Sequence, residues 1–454
     1  MSAQLLRRVV PLTNTRSALR SMSSAAAPAV AYPRPHLIPK TGTYPAGWVA
    51  GGLASGVKKD GLKDLTLVAS PDHPITASAV FTQNSFAAAP VQVSKAIIRE
   101  AAAVRALIVN SGCANACTGE QGTKDAWRMS REVDAALGGG ERGAAASSNS
   151  TTPKTLVMST GVIGQHLDMD KIVAGIAQVT KTVGPAHDNW LSAAEGIMTT
   201  DTFPKLRSTV FEGDYRMAGW SKGAGMIHPN MATMLSAVFT DASISKPCLD
   251  AATRYAADRS FNAISIDGDT STNDTFAVLA NAAADGVTII DDLESDAYRL
   301  FRDRLTQFAA ELAKLIVRDG EGATKFIEIH VKGAKTFADA RQVSSTIATS
   351  PLVKTALYGQ DANWGRVVCA VGYSGVPVTP ENVNLHLSTP AIDEPLHLFK
   401  NGAPFDTDEV KAARILEHED LKLEIGLGEG SEEAKMYTTD LTHGYITINA
   451  DYRS

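Results

Sequence analysis

The spacing of apolar and polar residues along this chain predicts alternating strands and helices. Short apolar or alternating runs are typical of strands, whereas apolar residues every three to four positions are typical of amphipathic helices. The strand-like segments are LTLVAS (65–70), ITASAVFT (75–82), VRALIVNSG (104–112), LVMSTGVIG (156–164), FIEIHVKG (326–333), VNLHLS (383–388), LKLEIGLG (421–428) and YITINADY (445–452). The helix-like segments are 125–137, 169–183 and 293–319. Because the two kinds alternate, we expect an α/β fold with mixed sheets.

The first residues form a different pattern, which predicts targeting rather than fold. No Asp or Glu occurs before Asp60, while Arg7, Arg8, Arg16 and Arg20 stand among many Ser and Ala. This is the composition of a mitochondrial transit peptide, and the continuous apolar stretch of a secretory signal is missing. We therefore expect import into the mitochondrial matrix and assign residues 1–28 to the transit peptide. The alternative is a disordered basic tail.

Composition narrows the class of protein. Hydrophobic residues make up 44% and charged residues 20% of the 454 residues, as in an ordinary globular protein. No apolar run approaches the roughly 18 residues of a membrane-spanning helix. A net charge of −6, with no basic block interleaved with aromatics, argues against nucleic-acid binding. We therefore expect neither a membrane nor a nucleic acid as a partner.

The candidate metal and phosphate motifs are incomplete. Cys113 and Cys117 form a lone C-x3-C with no second pair, which argues against zinc. The loop SIDGDTSTNDTF (265–276) has Asp at two calcium-loop positions, but Thr272 stands where glycine is required and Val278 where glutamate is required. Walker A, HExxH and GxSxG sequences are also missing. We expect no metal, and interpret 265–276 as a polar loop near a site.

One Gly-rich segment, SKGAGMIHPNMATMLSAVFT (221–240), is unusually apolar for a connection. A single hydroxyl, that of Thr233, begins its apolar run. Local pattern alone favours an ordinary strand or helix-start threonine. His228 lies five residues earlier and could act as a base, although a lone loop histidine more often only forms hydrogen bonds.

Several other small, polar, Gly-bounded stretches share the character of functional loops. In order they are NSGCANACTG, STGVIG, MTTDT, KGAGMIHPNMATML, DGEGATK, GQDANWGR and TINADYRS. Together they resemble the ornithine acetyltransferase / glutamate N-acetyltransferase family of arginine biosynthesis, in its fungal mitochondrial form. The resemblance covers nearly the whole chain after the presequence, except a low-complexity insert at 138–154 that we expect to be a surface loop. It implies a layered α/β sandwich of the self-cleaving ornithine acetyltransferase / N-terminal-nucleophile aminopeptidase type.

The resemblance implies a role for Thr233. Members of this family cut themselves before the threonine of the ATM motif, which here is the bond between Ala232 and Thr233. The products would be an α chain, 29–232, and a β chain, 233–454, assembled as two α and two β chains. Cleavage frees an α-amine on Thr233, with a pKa of about 7.7–8.0, that can take the proton of its own hydroxyl. Thr160 and Gly161 correspond to the family's oxyanion hole.

The implied reaction transfers acetyl from N2-acetylornithine to glutamate through an acetyl-Thr233 intermediate. Acetyl-CoA as a second donor stays open, and no cofactor is expected. The substrate-binding positions implied are Thr199, Lys222, Thr233, Glu321, Asn449 and Ser454, and the sequence does not decide between Thr199 and Thr200. A lysine and a glutamate suit amino-acid substrates that carry a carboxylate and an amine. The alternatives are an N-terminal-nucleophile aminopeptidase, which would pass the acyl group to water, and a non-enzymatic protein with an uncut chain.

Overall fold

The strands and helices follow the predicted alternation closely. The fold comes from a computed structural model that describes residues 32–59, 61–101, 103–138, 154–228, 234–405 and 408–451. The strands are β1 Val49–Leu53, β2 Leu65–Ala69, β3 Thr76–Phe81, β4 Ala106–Cys113, β5 Thr155–Val162, β6 Lys205–Val210, β7 Arg216–Lys222, β8 Leu235–Thr240, β9 Ile264–Ser265, β10 Thr275–Ala280, β11 Phe326–Ala334, β12 Asn384–Thr389, β13 Ile392–Lys400, β14 Ala403–Pro404, β15 Asp420–Gly426 and β16 Glu432–Thr439. The helices are α1 Ala89–Glu100, α2 Gly119–Ala136, α3 Met169–Thr182, α4 His187–Gly196, α5 Lys246–Arg259, α6 Asp296–Arg318, α7 Phe337–Thr349, α8 Pro351–Tyr358, α9 Trp364–Gly372, α10 Glu409–Leu416 and α11 His443–Asp451.

Two sheets pack face to face around one hydrophobic core. The first has the order β1-β2-β4-β5, with β4 and β5 parallel and the other pairs antiparallel. The second has the order β3-β10-β8-β7-β6. Their facing side chains share one hydrophobic core, in which Leu107 of the first sheet belongs with Trp220 and Phe239 of the second. Helices α1–α3 contact strands of the first sheet and α5 and α6 strands of the second, so the predicted layered α/β arrangement is confirmed.

The second sheet mixes strands from both sides of the predicted cleavage point. Strand β8 begins at Leu235. It pairs antiparallel with β7 on one side and parallel with β10 on the other. Strands β3, β7 and β6 precede residue 232, whereas β8 and β10 follow it. A cut between residues 232 and 233 would therefore leave two chains joined by ladder hydrogen bonds and a common core. The described residues from 33 onward belong to one compact unit.

A third sheet has the order β14-β13-β12-β15-β11-β16-β9. Strands β12 and β15 bury every second residue, as expected for a sheet that packs one face on a core and leaves the other in solvent. Helix α7 contacts β11 and β16 on this sheet. The alternating strands predicted at 326–333, 383–388 and 421–428 are confirmed here.

One predicted strand is wrong. The segment YITINADY (445–452) alternates like a strand, yet residues 443–451 form helix α11. Ile446 and Ile448 are 61% and 40% exposed, so their alternation does not mark a buried face. The hydroxyl of Thr442 instead accepts a hydrogen bond from the Tyr445 amide at 3.1 Å, the capping contact of a helix start.

Some predictions concern residues outside the described part of the chain. These are the transit peptide at 1–28, most of the insert at 138–154, the cleavage residues Ala232 and Thr233, and Ser454. Within the described residues, none of the helices combines the length and the apolar character that crossing a membrane would require.

Candidate active site

A small polar cavity lies where the ends of β5 and β7 approach the turn after α6. Its volume is about 140 Å³. The residues that line it are Ala114, Thr160, Gly161, Ile163, Thr199, Thr200, Lys222, Gly225, Met226, Ser271, Asn273, Glu321 and Asn449. Every described residue that the sequence predicted as oxyanion-hole or substrate-binding is among them, although these residues lie up to almost three hundred positions apart in the chain.

The Thr160-Gly161 pair lies just before the end of strand β5, in a conformation that requires glycine. Gly161 has a φ of +129°, and a Cβ added there would lie 2.3 Å from the carbonyl carbon of Gly112 on neighbouring β4. No other residue fits such an approach. The tight contact with β4 turns the backbone of β5 at the cavity wall and leaves the Thr160 side chain 8% exposed.

Lys222, the last residue of β7, brings a buried ammonium to this pair. Its Nζ donates a hydrogen bond to Thr160 Oγ1 at 3.1 Å. Burial is the main cause that lowers the pKa of Lys222, and the Asp201 carboxylate is the main cause that opposes this. Since a hydroxyl has one donor and two acceptor sites, accepting from Lys222 leaves the Thr160 hydrogen free for another acceptor in the cavity.

Glu321 supplies the opposite charge across the cavity. It follows helix α6, and its backbone N–H donates to the Ala224 carbonyl at 2.8 Å. A Cβ on Gly225 would lie 2.4 Å from a carboxylate oxygen of Glu321, so glycine is needed there for the carboxylate to approach. The cavity therefore presents an ammonium on one side and a carboxylate on the other, which suits zwitterionic substrates.

The C-terminal helix α11 reaches this site through glycine contacts. Gly322 has a φ of +66°, and a Cβ there would lie 2.4 Å from the Tyr445 amide. The Thr442 hydroxyl donates to the Gly322 carbonyl at 2.7 Å. Asn449 then donates through Nδ2 to a Glu321 carboxylate oxygen at 2.9 Å. The helical form that the alternating sequence concealed is thus what brings Asn449 onto Glu321.

Sequence reasoning missed two residues at the site. Asn273 lines the cavity, and its Nδ2 donates to the carbonyls of Ala114 and Ser159 at 2.6 and 2.8 Å, which fixes the strand just before Thr160. Asp201 lies behind the cavity and accepts hydrogen bonds from the amides of Thr199 and Gly223. The sequence indicated Asn273 only in part, through the polar loop 265–276 expected near a site. For Asp201 the only indication was its position in the MTTDT motif.

The sequence left open the choice between Thr199 and Thr200 and the role of His228, and the structure gives the surroundings of all three. Thr199 and Thr200 both line the cavity, and the Thr199 amide is bound by Asp201 at 2.8 Å. His228 does not line it; its Nδ1 is 3.2 Å from the Ser265 hydroxyl, and burial is the main cause that lowers its pKa. His228 therefore has the geometry of a hydrogen-bonding loop residue.

Within the described ranges, no group of three or more His, Cys, Asp or Glu side chains is arranged to hold a metal ion. The chemistry available at the cavity is that of a hydroxyl, an ammonium, a carboxylate and backbone N–H groups. Such a set suits acyl transfer between small charged molecules.

Comparison with known proteins makes the assignment specific. The chain belongs to the ArgJ family, whose model matches residues 49–454. It is similar to the arginine biosynthesis bifunctional protein ArgJ, mitochondrial, of Yarrowia lipolytica, with 50% identity over 424 residues, 92% of this chain and 96% of that one. The protein of the same name from Neurospora crassa is 47% identical over 475 aligned positions, covering 100% of this chain and 98% of that one.

A solved structure is also similar. The arginine biosynthesis bifunctional protein of Bacillus halodurans is 38% identical, with a TM-score of 0.43 over 47% of this chain and 96% of that one. The names of the fungal relatives agree with the mitochondrial location predicted from the acid-free N-terminus, which is thereby confirmed.

Proposed function

We propose that the protein is a self-cleaving acetyltransferase of arginine biosynthesis that moves acetyl from N2-acetylornithine to glutamate through Thr233. Family membership supports this reaction over the rival aminopeptidase, since the relatives are named for arginine biosynthesis. The same relatives are named bifunctional, which supports acetyl-CoA as a second donor for glutamate. The cut between Ala232 and Thr233, the chains 29–232 and 233–454, and an assembly of two of each belong to the same proposal.

The observation that carries the proposal is the register beside the cleavage point. Leu235 pairs with Lys222 across the β7–β8 ladder. Thr233 is two residues before Leu235, and two residues of chain span at most about 7 Å. Strand β8 therefore starts beside Lys222, whose ammonium contacts Thr160. This register supports a nucleophile two positions before Leu235.

The first half-reaction makes acetyl-Thr233. The Thr233 hydroxyl attacks the acetyl carbonyl while the α-amine of the same residue takes its proton. The negative charge that develops on the carbonyl oxygen is stabilised by the Thr160 hydroxyl and the Gly161 N–H. The C–N bond then breaks, and the protonated amine returns the proton to the departing ornithine nitrogen.

The second half-reaction runs the same steps with glutamate. Its neutral α-amine attacks acetyl-Thr233, the C–O bond breaks, and the Thr233 oxygen recovers a proton as acetylglutamate forms. Both acceptor and donor carry an α-carboxylate, for which Lys222 is the cationic partner, and Glu321 with Asn449 faces the free side-chain amine of the ornithine donor. Ser454 completes the proposed substrate contacts together with Thr199.

The test is to purify the protein and measure both processing and transfer. We expect two fragments by intact mass, one of them beginning Thr-Met-Leu-Ser, an assembly mass equal to two of each, and acetylglutamate formed from N2-acetylornithine and glutamate. Release of free acetate in place of acetylglutamate would favour the aminopeptidase alternative. An uncut chain with full transfer activity would refute the proposed nucleophile.

Import is a separate prediction. A fusion of residues 1–40 to a fluorescent protein is expected to enter the mitochondrial matrix, because an Arg-rich, acid-free segment is drawn by the matrix-negative potential and recognised as a presequence. The control replaces Arg7, Arg8, Arg16 and Arg20 by glutamine in the same fusion, which should leave it in the cytosol. Equal import of both fusions would contradict the assignment.

A further inference from the structure

Behind the cavity, one carboxylate binds both backbone segments that carry its substrate contacts. The Asp201 side chain is fully buried. One of its oxygens accepts the Thr199 N–H at 2.8 Å, and the other accepts the Gly223 N–H at 2.7 Å. Thr199 lines the cavity, and Gly223 directly follows Lys222. Two segments more than twenty residues apart are thus held at a fixed distance by one side chain.

Asp201 is itself held by a buried ion network. Lys205 Nζ lies 2.5 Å from Asp201 and 2.6 Å from Asp319, and all three side chains are essentially without solvent exposure. Asp319 ends helix α6 and also accepts the Thr202 N–H at 2.9 Å. Burying charge is costly unless each ion is paired and hydrogen-bonded. Such a network stabilises little over apolar packing, so its value here lies in fixed geometry.

The network also spans the predicted cleavage point. Asp201 and Lys205 precede residue 232, whereas Asp319 follows it and leads directly into Glu321. The Asp319–Lys205–Asp201 contacts therefore connect the Glu321 side of the cavity to the Lys222 side. This connection would persist as a link between the two chains after a cut.

We propose that Asp201 is a positioning residue of this active site, which fixes Thr199 and Lys222 relative to each other, with Lys205 and Asp319 as its supports. The proposal rests on the function proposed above and extends it to a residue that need not touch substrate. A purely structural Asp201 would affect stability alone. A positioning Asp201 also sets the charge state of Lys222, which a pH profile reports.

The charged groups around Lys222 determine the sign of that effect. Burial lowers the pKa of Lys222 and thus favours the neutral amine. Neighbouring charges then act in both directions: the carboxylates of Asp201, Asp274 and Glu321 raise it, while the ammonium groups of Lys205 and Lys58 lower it. Asp201 is ionised, because Lys205 and Lys222 hold its pKa below the usual range despite burial. Removing its charge must therefore lower the pKa of Lys222, and the ammonium is lost at a lower pH.

The experiment measures kcat/KM for N2-acetylornithine against pH in the processed full-length protein. In Asp201→Asn, the basic limb of the profile is expected to move to lower pH by about 1 unit or more, the shift typical of an opposite charge within a few ångströms. The value of KM should rise more than kcat falls, since the carboxylate anchor is displaced. Asp201→Glu keeps a negative charge beside Lys222 but changes the position of the oxygens that accept the Thr199 and Gly223 N–H groups, so its KM should rise while its basic limb stays near that of the wild type.

The matched control is Asp319→Asn. This variant removes the other buried carboxyl that contacts Lys205. Burial raises the pKa of Asp319, and Asp319 accepts no hydrogen bond from the Thr199 or Gly223 amide. Its basic limb should move clearly less than that of Asp201→Asn, even with a similar loss of thermal stability. An unchanged limb in Asp201→Asn, or equal shifts in both Asp→Asn variants, would overturn the proposal.

The variants cover the case in which one of them does not fold. If Asp201→Asn fails to accumulate, a raised KM with a wild-type basic limb in Asp201→Glu supports the proposal, and an unchanged KM overturns it. These outcomes differ from failure of the proposed function. In that case the wild-type protein itself would form no acetylglutamate at any pH.

Discussion

Thr233→Ala is expected to leave the chain uncut and to lower acetyl transfer by at least about 10⁴-fold, as for loss of a catalytic nucleophile in other acyl-transfer enzymes. The hydroxyl is needed twice, first to attack the Ala232 carbonyl and then to attack the acetyl group. The free α-amine exists only after the first step. Removing the hydroxyl therefore removes both nucleophile and base, which explains why the effect exceeds that of any anchor residue.

The comparison variant is Thr233→Ser, which keeps the hydroxyl and loses one methyl group. It should be cut and should retain measurable transfer. Intact mass and initial rates of acetylglutamate formation, measured for both variants and the wild type, give the readout. Substantial transfer by uncut Thr233→Ala would mean that another group, such as the His228 imidazole, acts on the substrate, and the proposed mechanism would fail.

The strands and helices were predictable wherever the order of apolar and polar residues matches the order of buried and exposed positions. Strand β2 is fully buried and apolar except for Thr66, and β12 and β15 bury alternate residues, so their sequences carry the signal directly. Helix α6 was predicted at 293–319 and begins at Asp296, because the Ser295 hydroxyl caps it by accepting the Tyr298 N–H at 3.1 Å.

The error at 445–452 has the opposite cause. Alternating apolar and polar residues form a strand only where a neighbouring strand can pair with them and a core can cover the apolar face. The exposed Ile446 and Ile448 have neither, and the local Thr442 cap with its contact to Gly322 decides the conformation. The determinant is a tertiary contact more than a hundred residues away, which periodicity cannot report.

The residues of the candidate site also fall into two groups, those that the sequence indicates and those that only the structure reveals. The lining residues Thr160, Lys222 and Glu321 stand in Gly-rich motifs whose resemblance to a family is visible in sequence, and the fold brings them to one cavity. Asp201 and Asn273 act on backbone groups of distant segments, through hydrogen bonds to Gly223 and Ser159. Their side-chain types are common in polar loops, so only the three-dimensional arrangement distinguishes them from turn residues.

Thr160→Val is expected to lower kcat for acetyl transfer by roughly 10²–10³-fold, the usual effect of losing one oxyanion donor. Valine keeps the branched shape, so the turn at Gly161 should survive, while the hydroxyl is lost. Self-cleavage should slow as well, because the same donor would stabilise the tetrahedral intermediate at Ala232. Stopped reactions analysed for acetylglutamate and for uncut chain measure both rates in one preparation.

The contact with Lys222 makes this prediction separable from a purely binding role. Lys222 donates to Thr160 Oγ1, so the hydroxyl could serve only as an acceptor that holds the ammonium. In that case Thr160→Val would raise KM for both substrates and leave kcat nearly unchanged, since ground-state binding alone is lost. As an oxyanion donor, the hydroxyl is used chiefly in the transition state, so kcat and the cleavage rate fall together while KM changes little. Thr160→Ser restores a hydroxyl that can both accept from Lys222 and donate to the oxyanion, and it should recover most of each rate. Normal kcat in Thr160→Val would remove Thr160 from the oxyanion hole and leave Gly161 as its only proposed donor.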